Sequence, residues 1–434
     1  HGTIPEALCR FLNVVTINVA TCKLSSTIPS CIGDISSLQT LDVGFNSLSG
    51  TIPTSIGALD YLGFIDVSNN HLDGEFPLYK FTGKSGVYSM YADYNQFNYL
   101  RDAMSIENTF SYIELQNNMF VGHLPSSLAT VSTLSSAHLS YNSFSGSLPT
   151  EWFNLTAYSL HLEFNSLSGS FPEKLCENVN AQYFLLSHNR ITGSLPSCLF
   201  ISTSLIYMRT IDFSSNRLTG QLPTNYIGAT LLILLNVSDN FITGTLVSSL
   251  ATLRKCNCLL LCVFYFPHCV VNMIVLFIAS LEFLDVSNNL FHGELPSLFG
   301  DQAYPMHDIL FEFIGSYNMF SSTLPTAIGD MSLYLLKLDN NYLTGEIPVA
   351  LGSLKHVKTL LLHSNVFTGT SVGDIFSEML NNPHNEMAVV DISANQLSGT
   401  VPSSIFMLTE LVSLSLSNNC FEGDLPNLCN LSYT

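Results

Sequence analysis

The sequence predicts an α/β solenoid of stacked repeats, with a parallel β-sheet on its concave face and short helical or irregular segments on its convex face. Three observations predict this fold: an asparagine that recurs about every 24 residues, an alternating apolar pair before it, and a Gly-x-apolar-Pro segment after it. Residues 41–53, for example, recur as residues 65–77 and 137–149. Because a solenoid grows by stacking repeats, we expect a single array over residues 1–434.

Sixteen positions carry the recurring residue, which we call the anchor, and all but the first are asparagine. Twelve of the fifteen intervals are 23 to 27 residues long, and the others are 49, 29 and 30. An amide side chain donates and accepts, so stacked asparagines are predicted to satisfy backbone groups that the turn leaves without partners. At the first anchor we expect a small buried cysteine to replace asparagine. The anchors are Cys22, Asn46, Asn70, Asn95, Asn118, Asn142, Asn165, Asn189, Asn216, Asn240, Asn289, Asn318, Asn341, Asn365, Asn395 and Asn419.

Each part of the repeat has a predicted structural role. The apolar pair, such as Leu41 and Val43, points inward from a short strand because side chains alternate between the two faces of a strand. Gly50 tolerates the unusual backbone angles that follow the strand, and Pro53 opens the convex segment. The apolar residues after this proline have helical spacing and are predicted to close the core. They are Ile56, Leu59 and Leu62.

The consensus LxLxxNxLxGxIP, and its GxIP ending in particular, resembles the plant-type leucine-rich repeats of receptor-like kinases, receptor-like proteins and polygalacturonase inhibitors. The resemblance covers about residues 1–429. It implies an extracellular or cell-surface recognition module of a receptor-like protein, which binds a protein, peptide or carbohydrate on its concave face without catalysis or a cofactor. The alternatives are a structural or adhesive cell-wall protein and an inhibitor of a secreted hydrolase. Both ends interrupt a repeat, so we expect a fragment whose membrane connection would be a C-terminal anchor outside it.

The composition argues against several other functions. Charged residues are only 11% of the chain, and 33 acidic against 14 basic residues give a formal charge of −19. This charge repels nucleic acids and anionic membranes, and it attracts basic partners. The sequence contains no GxSxG, glycine-rich phosphate loop or HExxH motif, so we expect no enzymatic activity.

Residues 254–279 interrupt the repeats with an apolar insert that lengthens one anchor interval to 49 residues. The run from Cys256 to Leu281 contains no charged residue and is long enough for a membrane span, but a span would separate repeats of the same type. A functional loop is a second interpretation, although such a loop should be polar. We favour a retained intron, because codons for Arg254–Cys256 can contain a splice donor and those for Ile278 and Ala279 an acceptor. Removal of 25 codons would restore a 24-residue interval.

Four of the cysteines form two pairs with the same 22-residue spacing, Cys9 with Cys31 and Cys176 with Cys198. In both pairs the partners fall on the convex side of adjacent repeats, where disulfide geometry is feasible. Disulfides would indicate an oxidising compartment, and the alternative is four free, buried cysteines. Asn-x-Ser/Thr triplets predict possible glycosylation sites. These sites are Asn154, Asn236 and Asn430.

The candidate ligand-binding surface lies where outward-facing residues depart from the repeat consensus. Five strands carry an outward aspartate that matches the consensus, which favours a scaffold role over a cation site. They are Asp42, Asp66, Asp212, Asp285 and Asp391. Three consecutive strands carry Glu114, His138 and His161 instead, with Glu163 two residues further on. We expect these side chains to form a ladder that either chelates a zinc-type ion or contains histidines with raised pKa values. The neighbouring positions before the anchors complete the surface, and an ordinary hydrated surface is the alternative. These residues are Tyr141, Phe164 and His188.

Overall fold

The computed structural model describes most of the chain in two compact units, His1–Arg217 and Leu218–Thr434. The apolar insert, Cys176 and Asn430 lie outside the described residues. The described residues are 2–82, 86–104, 108–154, 157–172, 181–201, 208–226, 229, 231–246, 281–295, 310–354, 356–383 and 385–423.

In each unit, three-residue strands pair in parallel with the equivalent strand of the next repeat to form what we call the main sheet. Leu41 pairs with Ile65, and both side chains are 0% exposed, so the predicted inward-facing positions are confirmed. In the first unit the strands are Thr16–Asn18, Thr40–Asp42, Phe64–Asp66, Ser89–Tyr91, Tyr112–Glu114, Ser136–His138, Ser159–His161, Tyr183–Leu185 and Thr210–Asp212. In the second they are Leu234–Asn236, Phe283–Asp285, Glu312–Ile314, Leu335–Lys337, Thr359–Leu361, Val389–Asp391 and Ser413–Ser415.

A second set of short strands follows the anchors and pairs in parallel. Gly50 ends one of them with a φ of 76°, a left-handed conformation that glycine adopts without steric cost. In the first unit these strands are Gly2–Thr3, Leu24–Ser26, Ser47–Gly50, His71–Phe76, Gln96–Leu100, Val121–His123, Ser143–Gly146, Ser166–Ser170 and Arg190–Gly193. The strand Arg217–Leu218 falls at the unit boundary. In the second unit they are Thr243–Gly244, Leu290–Gly293, Met319–Ser322, Tyr342–Glu346, Val366–Gly369, Gln396–Gly399 and Cys420–Phe421.

Short helices on the other side of the repeat close the core, mostly as single 3₁₀ turns. Pro53 precedes one of them, and Ile56, Leu59 and Leu62 are buried beneath it as predicted. The 3₁₀ helices are Glu6–Arg10, Ser30–Asp34, Thr54–Ala58, Leu78–Lys80, Ser126–Thr130, Thr150–Asn154, Thr326–Asp330, Val349–Ser353 and Ser403–Met407. The α-helices are Cys198–Ile201 and Val372–Asn381, the second of which lies in the 30-residue anchor interval. Within the described ranges, no helix has the length and apolar character that a membrane crossing requires.

The anchor asparagines bond each repeat to its neighbours. Asn70 Nδ2 lies 3.1 Å from Val43 O in the preceding repeat and 3.2 and 3.0 Å from Val67 O and Ser68 O in its own turn. Asn70 Oδ1 accepts a 2.9 Å hydrogen bond from Leu48 N. The side chain thus provides partners for backbone groups away from water, as predicted, and it makes stacking specific.

The expectation of a buried cysteine at the first anchor is wrong. Cys22 is exposed, and its Sγ lies 3.3 Å from Ala20 O. In the described structure no main-sheet strand precedes Thr16–Asn18. Asn46 Oδ1 still accepts hydrogen bonds from the backbone N–H of Cys22 and of Leu24.

The repeats on either side of the insert stack directly on each other. Asn236 pairs with Asp285 in the main sheet. Asn289 Nδ2 donates to Val237 O at 2.9 Å, and Ile242 N donates to Asn289 Oδ1 at 2.9 Å. This bonding resembles that between repeats that are contiguous in sequence, which argues against a membrane span between the two. The retained-intron interpretation stays a prediction.

Cys9 and Cys31 form a disulfide with a Cα–Cα distance of 5.8 Å, as their spacing predicts. The bond joins two consecutive 3₁₀ helices, Glu6–Arg10 and Ser30–Asp34. Cys198 is also disulfide-bonded. Its predicted partner lies outside the described residues, so the second pairing stays a prediction.

Candidate functional site

The predicted ladder of consensus-departing residues is present in the main sheet of the first unit. Glu114 is the register partner of His138, and His138 is the register partner of His161. The next strand contributes Leu185 at this position, which ends the ladder. We call Glu114, His138, His161 and Glu163 the histidine patch.

The two histidine rings are in contact. Their centroids lie 4.1 Å apart, with an angle of 44° between the ring planes. His161 Nδ1 lies 3.3 Å from Glu163 Oε1, and its Nε2 lies 2.9 Å from Ser159 Oγ. Because both ring nitrogens of His161 have a polar neighbour, the orientation of this ring is fixed.

Burial lowers the pKa of His138 to about 4, and the neighbouring His161 lowers it further, against the opposing effect of Glu163. The expectation that carboxylates raise the histidine pKa values is therefore wrong for His138. The loss of hydration outweighs the nearby carboxylate, since burial disfavours the charged imidazolium. At pH values well above 4, this ring is neutral.

The chelating ladder is also not formed. Glu114 Oε2 lies 3.3 Å from Gln116 Nε2 at the end of its own strand. Among the described residues, no three histidine, cysteine, aspartate or glutamate side chains come together in a way that could hold a metal ion. The contacts of this patch are hydrogen bonds and ring contacts.

A row of stacked rings lies beside the histidine patch, and we call Tyr141, Phe164 and His188 the aromatic row. The ring centroids of Tyr141 and Phe164 are 4.2 Å apart at 11°, and those of Phe164 and His188 are 4.0 Å apart at 16°. Each residue precedes an anchor and has a positive φ of 52° to 54°, so the same turn presents all three rings side by side. Tyr141 is 49% and Phe164 37% exposed.

This stacking determines which part of the rings a ligand can reach. Both faces of Phe164 are covered by its neighbours, whereas the ring edges remain accessible. A sugar ring that stacks on aromatic faces therefore finds little free area on the central ring. Ring edges carry partial positive charge and favour carbonyl oxygens, which suits a peptide backbone.

The aspartate column has a scaffold role, as the sequence analysis favoured. Asp66 Oδ1 accepts a 2.8 Å hydrogen bond from Ser68 N, which closes the turn before the anchor. Asn236, a predicted glycosylation site in the same column, accepts from Ser238 N and Ser238 Oγ in the same way. Asn154 ends a 3₁₀ helix outside the main sheet. The other aspartates of the column with this bond are Asp42, Asp212, Asp285 and Asp391.

Two residues of this surface, Gln116 and Asp93, were not predicted from the sequence. Both lie two residues before an anchor, where most repeats have serine. Burial raises the pKa of Asp93 to about 6 against a backbone hydrogen bond, and the nearby Glu114 and Asp66 raise it further. The replacement of the usual serine at these two positions is the sequence feature that could have identified them.

Comparisons with known proteins agree with this architecture. Residues 37–59, 280–302 and 332–354 match the family model described as Leucine Rich Repeat. Receptor-like protein 41 of Arabidopsis thaliana is 29% identical over 187 residues, which are 43% of this chain and 18% of that protein. Receptor-like protein 32 of Arabidopsis thaliana is 28% identical over 301 residues, which are 69% of this chain and 25% of that protein.

Among solved structures, the plant peptide hormone receptor RGFR1 in complex with RGF2 is 29% identical to this chain, with a TM-score of 0.77. The likeness covers 98% of this chain and 66% of that one. The chain thus aligns with 18% and 25% of the two curated relatives and with less than two thirds of this receptor chain.

Proposed function

This chain is a leucine-rich-repeat protein of the plant receptor-like type, and we propose that it is the extracellular ligand-recognition part of a receptor-like protein. It binds a peptide on the main sheet of the first unit and catalyses no reaction. The histidine patch and the aromatic row form the binding surface.

The observation that carries this proposal is that the histidine patch, whose residues depart from the repeat consensus, lies directly beside the aromatic row. His138 contacts His161 at 4.1 Å between ring centroids, and Tyr141, Phe164 and His188 stack one residue before successive anchors. A repeat that served only as a spacer would need no such cluster. Clustered exposed aromatic side chains are typical of binding surfaces, where such residues supply much of the affinity.

The relatives support a peptide as the ligand class. RGFR1 is described as a peptide hormone receptor, and its solved complex contains RGF2. An extended peptide also fits the chemistry of this surface. Its carbonyl oxygens can meet the ring edges of the aromatic row, and its polar groups can meet the histidine patch.

Binding to a random decapeptide library, with sequencing of the enriched peptides and calorimetry on the best one, tests the proposal. The test variant is Tyr141→Asn/Phe164→Asn, because asparagine occupies this same left-handed position at Asn69 and Asn117. Truncation of central aromatic residues weakens binding by about tenfold or more. The control is Phe45→Asn, which lies at the same repeat position and is 57% exposed in the wild-type chain.

The proposal predicts that peptides are enriched, that the double variant binds them at least about tenfold more weakly and that the control binds them normally. A library without enriched peptides would contradict the proposal, and so would equal affinity for the wild type and the double variant.

A further inference from the structure

The main sheet of the second unit contains another run of consecutive departures from the repeat consensus. The outward position that carries Asp285 and Asp391 holds Ile314, Lys337 and Leu361 on the three strands between them. Lys337 is the register partner of Ile314 on one side and of Leu361 on the other. Neighbouring strands lie about 4.8 Å apart, so the three side chains stand side by side. All three are partly exposed, so a partner can contact them.

Lys337 differs in charge from the rest of the outward-facing positions. The sixteen segments that run from the first residue of each main-sheet strand to the residue before the anchor contain eleven acidic residues and a single lysine or arginine, which is Lys337. A negative group of a ligand is repelled by most of these segments and attracted at Lys337. The acidic residues are Asp42, Asp66, Asp93, Glu114, Glu163, Asp212, Asp239, Asp285, Glu312, Asp339 and Asp391.

The charge of Lys337 is not paired within the described part of the chain. No acidic side chain among the described residues forms an ion pair with it. Asp339 occupies the next outward position, but it is 4% exposed and both of its carboxylate oxygens have other partners. Oδ1 accepts a hydrogen bond from Ser316 Oγ, and Oδ2 accepts one from Asn340 Nδ2 at 2.9 Å and lies 3.5 Å from His363 Nε2. The ammonium group of Lys337 is therefore available to a ligand.

The apolar neighbours of Lys337 determine which kind of anion suits this position. Ile314 and Leu361 replace the usual aspartate on both sides, and Leu335 lies two residues before Lys337 on the same face. Apolar groups of a ligand that cover these side chains exclude water, and a partly buried charge pair is screened less than an exposed one. A polyuronate carries a carboxylate on each sugar, so its other charges would meet carboxylates of the chain. A peptide with an acidic residue among apolar ones fits both features.

We propose that Ile314, Lys337 and Leu361, which we call the lysine site, bind an acidic side chain of a peptide segment. Apolar side chains of the same segment lie against the two aliphatic residues. The site belongs to the second unit and goes beyond the proposed function, which concerns the first. The carboxylate accepts a charge-assisted hydrogen bond from the ammonium group, which is stronger than a neutral one. Because no other outward-facing segment offers a lysine or arginine, this bond also fixes the register of the peptide.

A peptide selection on a chain without the aromatic row isolates ligands of the lysine site. The first bait is Tyr141→Asn/Phe164→Asn, and the second is the same chain with Lys337→Met added. Methionine keeps an unbranched apolar side chain without the charge. We expect the first bait to enrich decapeptides that contain aspartate or glutamate among apolar residues, and the second bait not to enrich them.

Calorimetry on the otherwise wild-type chain measures the contribution of the charge. The best acidic peptide is compared with its isosteric amide, in which glutamine replaces glutamate or asparagine replaces aspartate. We expect the amide peptide to bind the wild type about tenfold more weakly, the effect of one partly buried charge-assisted hydrogen bond. Both peptides should bind Lys337→Met with affinities within about twofold of each other. The amide peptide should bind the wild type and Lys337→Met alike, which also shows that the variant is folded.

Lys358→Met is the matched control. Lys358 lies in the same unit, and its Nζ is 3.7 Å from Glu386 Oε2. Because this lysine already has an acidic partner, its removal should leave the preference for the acidic peptide in place. An equal loss of the preference in Lys337→Met and Lys358→Met would indicate a general effect of charge and overturn the lysine site.

The other outcomes also decide the inference. A first bait that enriches no peptides, or only peptides without an acidic residue, would overturn it, and so would equal enrichment of acidic peptides by both baits. Oligogalacturonate is titrated in parallel, and binding of this sugar that depends on Lys337, without binding of peptides, would overturn the peptide as the occupant. None of these results decides the proposed function, which the selection on the wild-type chain tests separately.

Discussion

The ring centroids of His138 and His161 lie 4.1 Å apart on neighbouring strands of the main sheet. Because the rings are in contact, a positive charge near His161 raises the free energy of protonating His138. Together with burial, it lowers the pKa of His138 to about 4. His138 therefore adds no positive charge to this surface at mildly acidic pH, which lies above its pKa.

We predict that His138 does not titrate between pH 8 and pH 5. The measurement is the imidazole ¹H–¹⁵N spectrum of the folded chain over this range, with His138→Asn to assign the signal. Free histidine titrates near pH 6.5 and serves as the reference. A midpoint for His138 near 6.5 would contradict the account of its burial.

Asp93→Asn should stabilise the first unit at pH 7 and have little effect at pH 4. Burial raises the pKa of Asp93 to about 6, so the folded state binds its proton more tightly than the unfolded state, and stability falls as the pH rises from 3.8 through about 6. Asparagine keeps the shape without the charge, and at pH 7 we expect a gain of about 1–3 kcal/mol.

Urea unfolding followed by the fluorescence of Trp152, the single tryptophan, measures this change. Its indole is 4% exposed and donates to Pro125 O at 2.8 Å. Asp73→Asn, an exposed position, is the matched control. An equal gain at both pH values would show that the charge of Asp93 is not the cause.

Asn189→Ala should destabilise the first unit strongly. Asn189 Nδ2 donates to Leu162 O at 2.9 Å, and Asn189 Oδ1 accepts from Leu167 N at 2.9 Å. The substitution leaves Leu167 N buried without its acceptor, at about 1–3 kcal/mol, and leaves Leu162 O with the longer hydrogen bond from Asn165 Nδ2 at 3.2 Å. Unfolding in urea measures the loss, and the exposed Thr192→Ala should change stability by less than about 0.5 kcal/mol. Similar losses for the two variants would exclude the anchor's predicted role.

Transcripts should skip the 75 nucleotides that encode residues 254–278, which are 25 codons. The direct stacking of the repeats at Asn236 and Asp285 requires no insert between them. A protein without these residues, and with proline before Ser280, should therefore be secreted in larger amounts than the longer chain. Transcript reads that cross the segment at full depth would rule out the intron.

Most of the repeat could be predicted from sequence, because its rules are local. The asparagine ladder, the left-handed Gly50 and the turn after Pro53 follow from the properties of single residues at fixed spacing. The burial of His138 could not be predicted, since it depends on side chains of neighbouring strands.

The candidate surface was predicted in part. The register of Glu114, His138 and His161 followed from the repeat, because equivalent positions pair in parallel strands. The direction in which Glu114 bonds did not follow, since it is set by Gln116, a departure from serine that was not considered. The 30-residue anchor interval indicated extra residues, but not the helix Val372–Asn381 that they contain.

Histidine footprinting with diethylpyrocarbonate tests most directly whether the main sheet of the first unit binds the ligand. The probe is the best peptide from the decapeptide selection, and the readout is the modification of each histidine by mass spectrometry. His188 is exposed in the aromatic row, whereas His71 and His123 are exposed on the second set of strands. We predict that the peptide protects His188 and leaves His71 and His123 reactive. Protection of His71 or His123 with an unprotected His188 would place the ligand elsewhere and contradict the account.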